Sequence, residues 1–557
     1  MVRILYFKNF LLIGTELANF VTMFRHLAPS FWIPAAVLSL ALAMMYVVWP
    51  SAADEVWYMM DLRHYTNLAG GSVAAGIFDS MVYHSAIDNI RLCNILYMSS
   101  LALPEWADWP LLWGACFVWI VATARLAGIS PCRWPAALVV FAAVAWLPVA
   151  DPLMVDECYQ YNYTMSVAVS LAMAWVFLNP GHRPIWLMAL CGLVAGWWHE
   201  GFGLPMASAT VGMVLFMPGK FRDIRHIAFA VGAVVGVLII VFTPGTWVRS
   251  TAIGGQSLTV AQNLTRQWPA LLALASVALT ALVPRLRGAF AWPLLLFLTI
   301  SIAASLALNV VIRYPRVGYW AIPGATVILL YQIRKAYAYI LGSVGRPGSI
   351  IIAARLTVVA AGMLAAAWVG VGVAAAIYFR PRVQALYASG ADLPIFSVSK
   401  DLMSVPVFGP VCEPFDRPAL NIAWSYYREL VHTNWCCGMV CEYHHGVRAI
   451  YMFFPSELEC VTPDAGTAAG SNGAVRRIGN HFFFAAEDFP QAAACVGVEA
   501  ECRLGPVTRR FPVDINSFRS KADGRTYYYM RFKKAGRLPM LWPVADLKIV
   551  DWYEKKD

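Results

Sequence analysis

Apolar residues fill the first two thirds of the chain in long blocks, broken by short polar stretches. Blocks of about 14–24 residues read as candidate membrane-spanning helices. In order they are Phe31–Trp49, Pro110–Gly128, Trp134–Ala150, Tyr163–Leu178, Ile185–Trp198, Gly203–Met217, Ile227–Thr243, Trp268–Pro284, Ala289–Asn309, Gly318–Ile333 and Leu356–Phe379. The fifth and sixth are short and nearly continuous, and Gly201, Gly203 and Pro205 suit a tight turn between them. The pattern predicts an α-helical polytopic membrane domain of about eleven spans over residues 31–380. Beyond it the apolar runs shorten and charges return, which predicts a separate domain over 381–557.

Composition supports the division. Only 13% of the 557 residues are charged and 60% are hydrophobic, whereas a soluble domain carries roughly 25% charged residues. The mean hydropathy is +0.60. Residues 1–30 read as a cytoplasmic amphipathic segment and not as a cleavable signal, because Glu16 interrupts the apolar stretch Leu11–Phe20 and no small-residue cleavage site follows. There is no P-loop, dinucleotide-binding glycine loop or zinc-finger spacing.

The net charge of +10 is explained more cheaply by topology than by a nucleic-acid partner. With a cytoplasmic N-terminus, the inner loops hold Arg125, Arg133, Arg183, Lys220, Arg222, Arg225, Arg285, Arg287, Arg334, Lys335 and Arg346. After the first loop, the outer connections hold only Arg249, Arg266, Arg313 and Arg316. That asymmetry follows the positive-inside rule. An odd number of spans then puts the C-terminal domain outside the cell.

The same topology gathers the unusual polar residues on the outer face. Asp54, Glu55, Tyr58 and Asp61 follow the first span in DEVWYMMD. Asp151, Asp156, Glu157 and Asn162 follow the third in DPLMVDECYQYNY, and His199-Glu200 closes the fifth in GWWHEG. Arg249, Arg313 and Arg316 follow the seventh and ninth. Taken singly, each has an ordinary explanation as a solvated loop residue, an interfacial aromatic or a snorkelling anchor. Taken together, acids from three loops and arginines from two others make a plausible site. Carboxylates serve as general bases on a hydroxyl, and arginines grip phosphate through paired hydrogen bonds. Trp and Tyr give flat faces for sugar rings. The first outer loop, 50–109, is long, and the spacing of Met81, Ile87, Ile90, Leu92, Ile95 and Leu96 predicts amphipathic helices along the surface.

A long first outer loop with surface helices and an acidic motif directly after the first span resembles the GT-C superfamily of polytopic glycosyltransferases. The motifs NYT at 162–164, WHEG at 198–201, TPGTWVR at 243–249 and RYPR at 313–316 resemble a bacterial subgroup related to O-antigen glucosyltransferases. The resemblance implies transfer of a sugar from a polyprenyl-phosphate donor to an envelope glycan or glycolipid, at the outer face of a bacterial cytoplasmic membrane. It implies Asp54 or Glu55 as catalytic base, with Asp156 and Glu157 as further catalytic candidates. Arg249, Arg313 and Arg316 become phosphate ligands, and Tyr58, Asn162, His199 and Glu200 join them as substrate-binding candidates. No cofactor is expected; a divalent metal held by the acids and His199 is the alternative. HExxH is absent, which argues against a zinc peptidase. A transporter or flippase for lipid-linked glycans and a non-catalytic membrane scaffold are the competing readings.

The C-terminal domain holds seven of the twelve cysteines: Cys412, Cys436, Cys437, Cys441, Cys460, Cys495 and Cys502. Outside the cytoplasm these predict disulfides, with the odd thiol free or paired to Cys93 or Cys158. CCGMVCEYHH offers a metal site as the alternative. RAIYMFF, HFFFAA and TYYYMRF read as strands of an α+β or β-rich domain, and 467–475 reads as a mobile loop.

Overall fold

The structure is a computed structural model of the whole chain. It describes residues 28–47, 54–87, 90–104, 107–130, 134–150, 159–252, 259–283, 290–312 and 318–343, and short pieces of 352–377. In the C-terminal part it describes 461–469, 473–478, 481–504, 507–531 and 546–554. Two compact units emerge: Met1–Val47 with Tyr58–Gly370, and Val48–Trp57 with Val371–Asp557. The boundary therefore falls at Gly370, ten residues before the composition break at 380, and a short segment after the first helix groups with the second unit.

In the first unit every predicted apolar block contains helix. The helices are α1 (Pro29–Val47), α2 (Asp54–Leu68, in this unit from Tyr58 onward), α3 (Val73–Ile87), α4 (Leu92–Ser100), α5 (Asp108–Leu126) and α6 (Trp134–Ala150). A π-helical turn at Gln160–Thr164 leads into α7 (Met165–Leu178). There follow α8 (Ile185–Trp197), α9 (Glu200–Phe216), α10 (Ile224–Val241), α11 (Pro244–Ala252), α12 (Val260–Arg266), α13 (Trp268–Leu282), α14 (Trp292–Ile312), α15 (Ala321–Ser343) and α16 (Leu356–Ala367). Among the described residues four stretches are long and apolar enough to cross a membrane: Asp108–Leu126, Gln160–Leu178, Ile224–Val241 and Trp292–Ile312. Others are shorter: α8, with thirteen residues, is about 20 Å long against a hydrocarbon core of about 30 Å.

Helix α8 packs along α10 backbone to backbone. A Cβ at Gly192 would stand 2.0 Å from the Phe229 carbonyl oxygen, and one at Gly232 would stand 2.1 Å from that of Ala189. Small residues allow this approach, and dispersion between the two backbones then holds the pair.

One expectation is corrected in this unit. The sixth apolar helix begins at Glu200, so Gly201, Gly203 and Pro205 lie inside it and not in a turn. The turn is made by Trp198 and the extended residue His199 (φ −163°, ψ 136°). Gly203 permits that sharpness, since a Cβ there would meet the Gly196 carbonyl oxygen at 2.1 Å. Helix α4 buries Cys93, Asn94, Tyr97 and Met98.

The described part of the second unit is β-rich. Strands β1 (Thr467–Ala468), β2 (Arg476–Ile478), β3 (His481–Ala485), β4 (Cys495–Leu504), β5 (Val507–Arg519), β6 (Thr526–Arg531) and β7 (Asp546–Glu554) form one antiparallel sheet in the order β1-β2-β3-β6-β5-β4-β7. HFFFA and TYYYMR are neighbouring strands, paired Phe483 to Tyr529 and Phe484 to Tyr528. On one face Phe483, Phe518, Tyr527 and Tyr529 pack with Val461. On the other, Phe484 stacks on Tyr528 and meets Phe489 and Trp552. The stretch read as a mobile loop contributes β1, whose Thr467 and Ala468 pair with Arg477 and Arg476.

Disulfides are not found where cysteines are described. Cys93, Cys495 and Cys502 are free thiols. Cys495 and Cys502 are seven positions apart on β4, about 23 Å along an extended strand, so they cannot reach each other. Cys158, Cys412, Cys436, Cys437, Cys441 and Cys460, together with RAIYMFF, His444 and His445, lie outside the described residues.

Candidate functional site

The helix ends gathered around the α8–α9 break form a polar cluster inside an otherwise apolar unit. Its centre is Arg91, the residue that precedes α4. The Arg91 guanidinium makes a paired contact with Glu200: Nε donates to Oε2 at 2.6 Å and Nη2 donates to Oε1. Arg91 is buried, whereas Glu200 keeps 24% of its side-chain surface exposed. The pair therefore has one sealed member and one that meets solvent.

Local structure fixes this geometry. The Cys93 N–H donates to the Trp198 carbonyl at 3.3 Å, and the Trp197 indole donates to the Ile90 carbonyl at 2.8 Å. These two bonds tie the start of α4 to the end of α8. His199 then caps α9, its Nδ1 accepting from the Gly201 N–H at 3.0 Å. A ring nitrogen that accepts carries no proton, so the neutral imidazole holds its proton on Nε2. His199 Nδ1 also lies 3.6 Å from Glu200 Oε2. Both atoms are acceptors in that state, so His199 does not neutralise Glu200, whereas Arg91 does.

The π turn supplies the next wall. Its extra residue pushes Gln160 to Thr164 inward, and all five are buried; such turns recur at functional sites. Asn162 Oδ1 accepts from the Cys93 thiol at 3.0 Å, and the Tyr161 hydroxyl donates to Asp108 in the first turn of α5. Burial pushes the Cys93 thiol up to about 12, offset in part by Arg91. The thiol serves as a hydrogen-bond donor to Asn162.

Aromatic rings line the cluster. Tyr58 on α2 stacks on His84 of α3 at 5.0 Å and meets Tyr97 edge-on at 5.5 Å. His84 Nε2 stands 3.0 Å from Asp61 of α2. Tyr163 meets His199 at 5.5 Å and Tyr319 at 5.1 Å. Tyr58, Tyr97, Tyr161 and Trp198 also share one apolar cluster with Cys93, Met98 and Met165.

Of the residues singled out in the sequence, Tyr58, Asp61, Asn162, His199 and Glu200 come together here. Asp54 and Glu55 open α2, and Arg249 lies in α11, a helix that packs on α3; the side chains of these three are outside the described set. Asp151, Asp156, Glu157, Arg313 and Arg316 lie outside the described residues. Tyr319, next after the RYPRVG loop, does reach the cluster through Tyr163. Sequence reading missed Arg91, His84 and Asp108. The signal for Arg91 was a lone cation opening the apolar run LCNILYM. Its partner lies 109 positions away, so no local pattern marks the pair. Among the described residues no three His, Cys, Asp or Glu side chains stand together as a metal-ligand group.

No protein-family profile, curated protein or solved structure matches the chain.

Proposed function

We propose that this protein is a membrane glycosyltransferase. It moves a sugar from a polyprenyl-phosphate donor to an envelope glycan or glycolipid acceptor at the outer face of a bacterial cytoplasmic membrane, in a scaffold of about eleven spans. The observation that carries this reading is the Arg91–Glu200 pair, set among Tyr58, Tyr97, Tyr161, Tyr163 and Trp198 where α4 and α9 begin. Helix starts favour anions, and a charge-assisted paired contact between two helix ends holds the surrounding rings in place. Tyrosine and tryptophan faces suit sugar rings.

In this reading Arg249, Arg313 and Arg316 hold the donor phosphate, and Arg91, sealed against Glu200, fixes the junction of α4 and α9. Glu200 holds the Arg91 fork in its plane. Asp54 or Glu55, in the first turn of α2, takes the proton of the acceptor hydroxyl. The acceptor oxygen then attacks the anomeric carbon, the bond from that carbon to the phosphate oxygen breaks, and the lipid phosphate leaves with the electron pair. A single displacement inverts the anomeric centre.

The test is the purified protein in nanodiscs with a labelled undecaprenyl-phosphate sugar and a membrane glycolipid fraction as acceptor. Transfer is expected, and loss of the base in Asp54→Asn or Glu55→Gln should slow it by about 10²-fold or more. Full turnover in both variants removes the base assignment. Substrate-dependent flux across proteoliposomes with no bond formed overturns the reading as a whole.

A further inference from the structure

We propose that the opposite end of the helical unit carries a binding site for one anionic phospholipid. This inference does not depend on the glycosyltransferase reading. From Asp108, the nineteen residues of α5 run about 27 Å to the Leu126 end. There a cavity of about 890 Å³ opens between the start of α1, the loop after α5, α6, α15 and α16. Its size falls in the range of sites that hold small molecules or lipid chains.

The lining has two chemistries. Ile129, Trp134, Val139 and Leu330 make apolar walls, and Arg334 is the cation. No acidic side chain lines it among the described residues. The guanidinium has a built seat. Arg334 Nη1 donates to the Gly128 carbonyl at 2.5 Å, and its Cζ lies 5.6 Å from the centre of the Tyr331 ring. Gly128 adopts φ +65°, and a Cβ there would stand 3.0 Å from the guanidinium carbon. Only glycine meets both demands, the left-handed backbone and the close approach. The seat uses one of five N–H donors, leaving a planar fork suited to a phosphate.

An apolar chamber with one fixed guanidinium at its wall fits an amphiphile whose polar end is anionic. The setting favours a lipid over a soluble anion. Trp134 is 49% exposed and Ile333 64% exposed, as expected of side chains that face acyl chains and the interface. Arg125 lies in the last turn of α5, just before Gly128, and Lys335 is next to Arg334 on α15. Their field concentrates anionic headgroups there, and basic pockets between membrane helices bind such headgroups.

The experiment reconstitutes the full chain in nanodiscs of equal phosphatidylglycerol and phosphatidylcholine, then reads retained lipid by native mass spectrometry. One phosphatidylglycerol is expected to remain on the wild type. Arg334→Gln should lower the preference for phosphatidylglycerol by about tenfold, the effect of losing one charge-assisted phosphate contact. Ala136→Trp fills the lining and should abolish retention of either lipid, while circular dichroism reports unchanged helix content in both variants. Added glycerol phosphate should not displace the bound lipid, because it brings no acyl chain. Equal retention of the two lipids by the wild type overturns the proposal. So does an unchanged preference in Arg334→Gln, or displacement by glycerol phosphate.

Discussion

Arg91 and Glu200 are worth more as a pair than as individuals. A buried guanidinium stripped of its carboxylate stays charged and dehydrated, so removing one member costs more than removing both. Glu200→Ala is expected to destabilise the protein by about 3 kcal/mol, at the low end for a buried pair because Glu200 meets solvent. Arg91→Ala in the Glu200→Ala background should recover part of that loss in a detergent melt. Simple additivity of the two single changes would remove the pair from the centre of the site. Cys93 offers a second check at one residue. With its thiol pushed up to about 12, its thiolate at pH 8 is scarcer than that of an ordinary cysteine by on the order of 10³-fold, and maleimide labelling should slow accordingly. The sign for stability follows. A raised folded pKa contributes stability that is complete below about pH 8.5 and lost as the pH rises toward 12. Tyr527, held high by burial and by its bond to Asp523, adds an alkaline loss of the same sign in the sheet. Alkaline melts should therefore fall faster for the wild type than for Cys93→Ala or Tyr527→Phe.

At the level of elements, the hydrophobic pattern placed the helices well. Trp134–Ala150 is helical over the predicted range, and the predicted Pro110–Gly128 is shifted by two residues to Asp108–Leu126. Long apolar periodic runs have few alternatives to a helix. The pattern failed where backbone geometry decides. Glycine and proline at 201, 203 and 205 read as turn formers, yet one extended histidine makes the turn and Gly203 serves close packing. The π turn at Gln160–Thr164 has no signature in hydropathy. Tyr58, Asn162, His199 and Glu200 were legible because polar residues stand out beside spans. Arg91, His84 and Asp108 were not, because their meaning lies in partners far along the chain. Close packing yields its own prediction. Gly232→Ala drives a Cβ to 2.1 Å from the Ala189 carbonyl oxygen, forcing α8 and α10 apart at a cost of about 3 kcal/mol. Gly114→Ala on α5 meets nothing within 4 Å, so it should be neutral or stabilise by up to about 1 kcal/mol. Equal melting shifts for the two changes would mean that α8 and α10 are not in backbone contact.

At the scale of the molecule, the chain divides its labour between a helical unit with polar chemistry at helix ends and a β-sheet unit with aromatic faces. The orientation of the helical unit decides which of its ends meets which compartment. Ser72 lies exposed in the α2–α3 turn, and Gly219 lies in the short turn before α10. Five apolar helices, α5 to α9, separate the two positions. If each crosses the bilayer, the positions lie on opposite faces. The cluster around Arg91 and Glu200 then faces the compartment of Ser72, and the cavity at Arg334 faces that of Gly219. Ser72→Cys keeps the size of the side chain, and a side chain at Gly219 meets nothing within 4 Å, so both replacements should fold. In spheroplasts, a membrane-impermeant maleimide should add label to Ser72→Cys beyond the wild-type level and none to Gly219→Cys until the membrane is opened. Label on both from outside requires an even number of crossings between them, which would end the five-crossing scheme and the charge rule behind it. Label on Gly219→Cys alone keeps the crossings odd but inverts the molecule, placing the Arg91 cluster inside the cell. That outcome would exclude an external lipid-linked sugar donor.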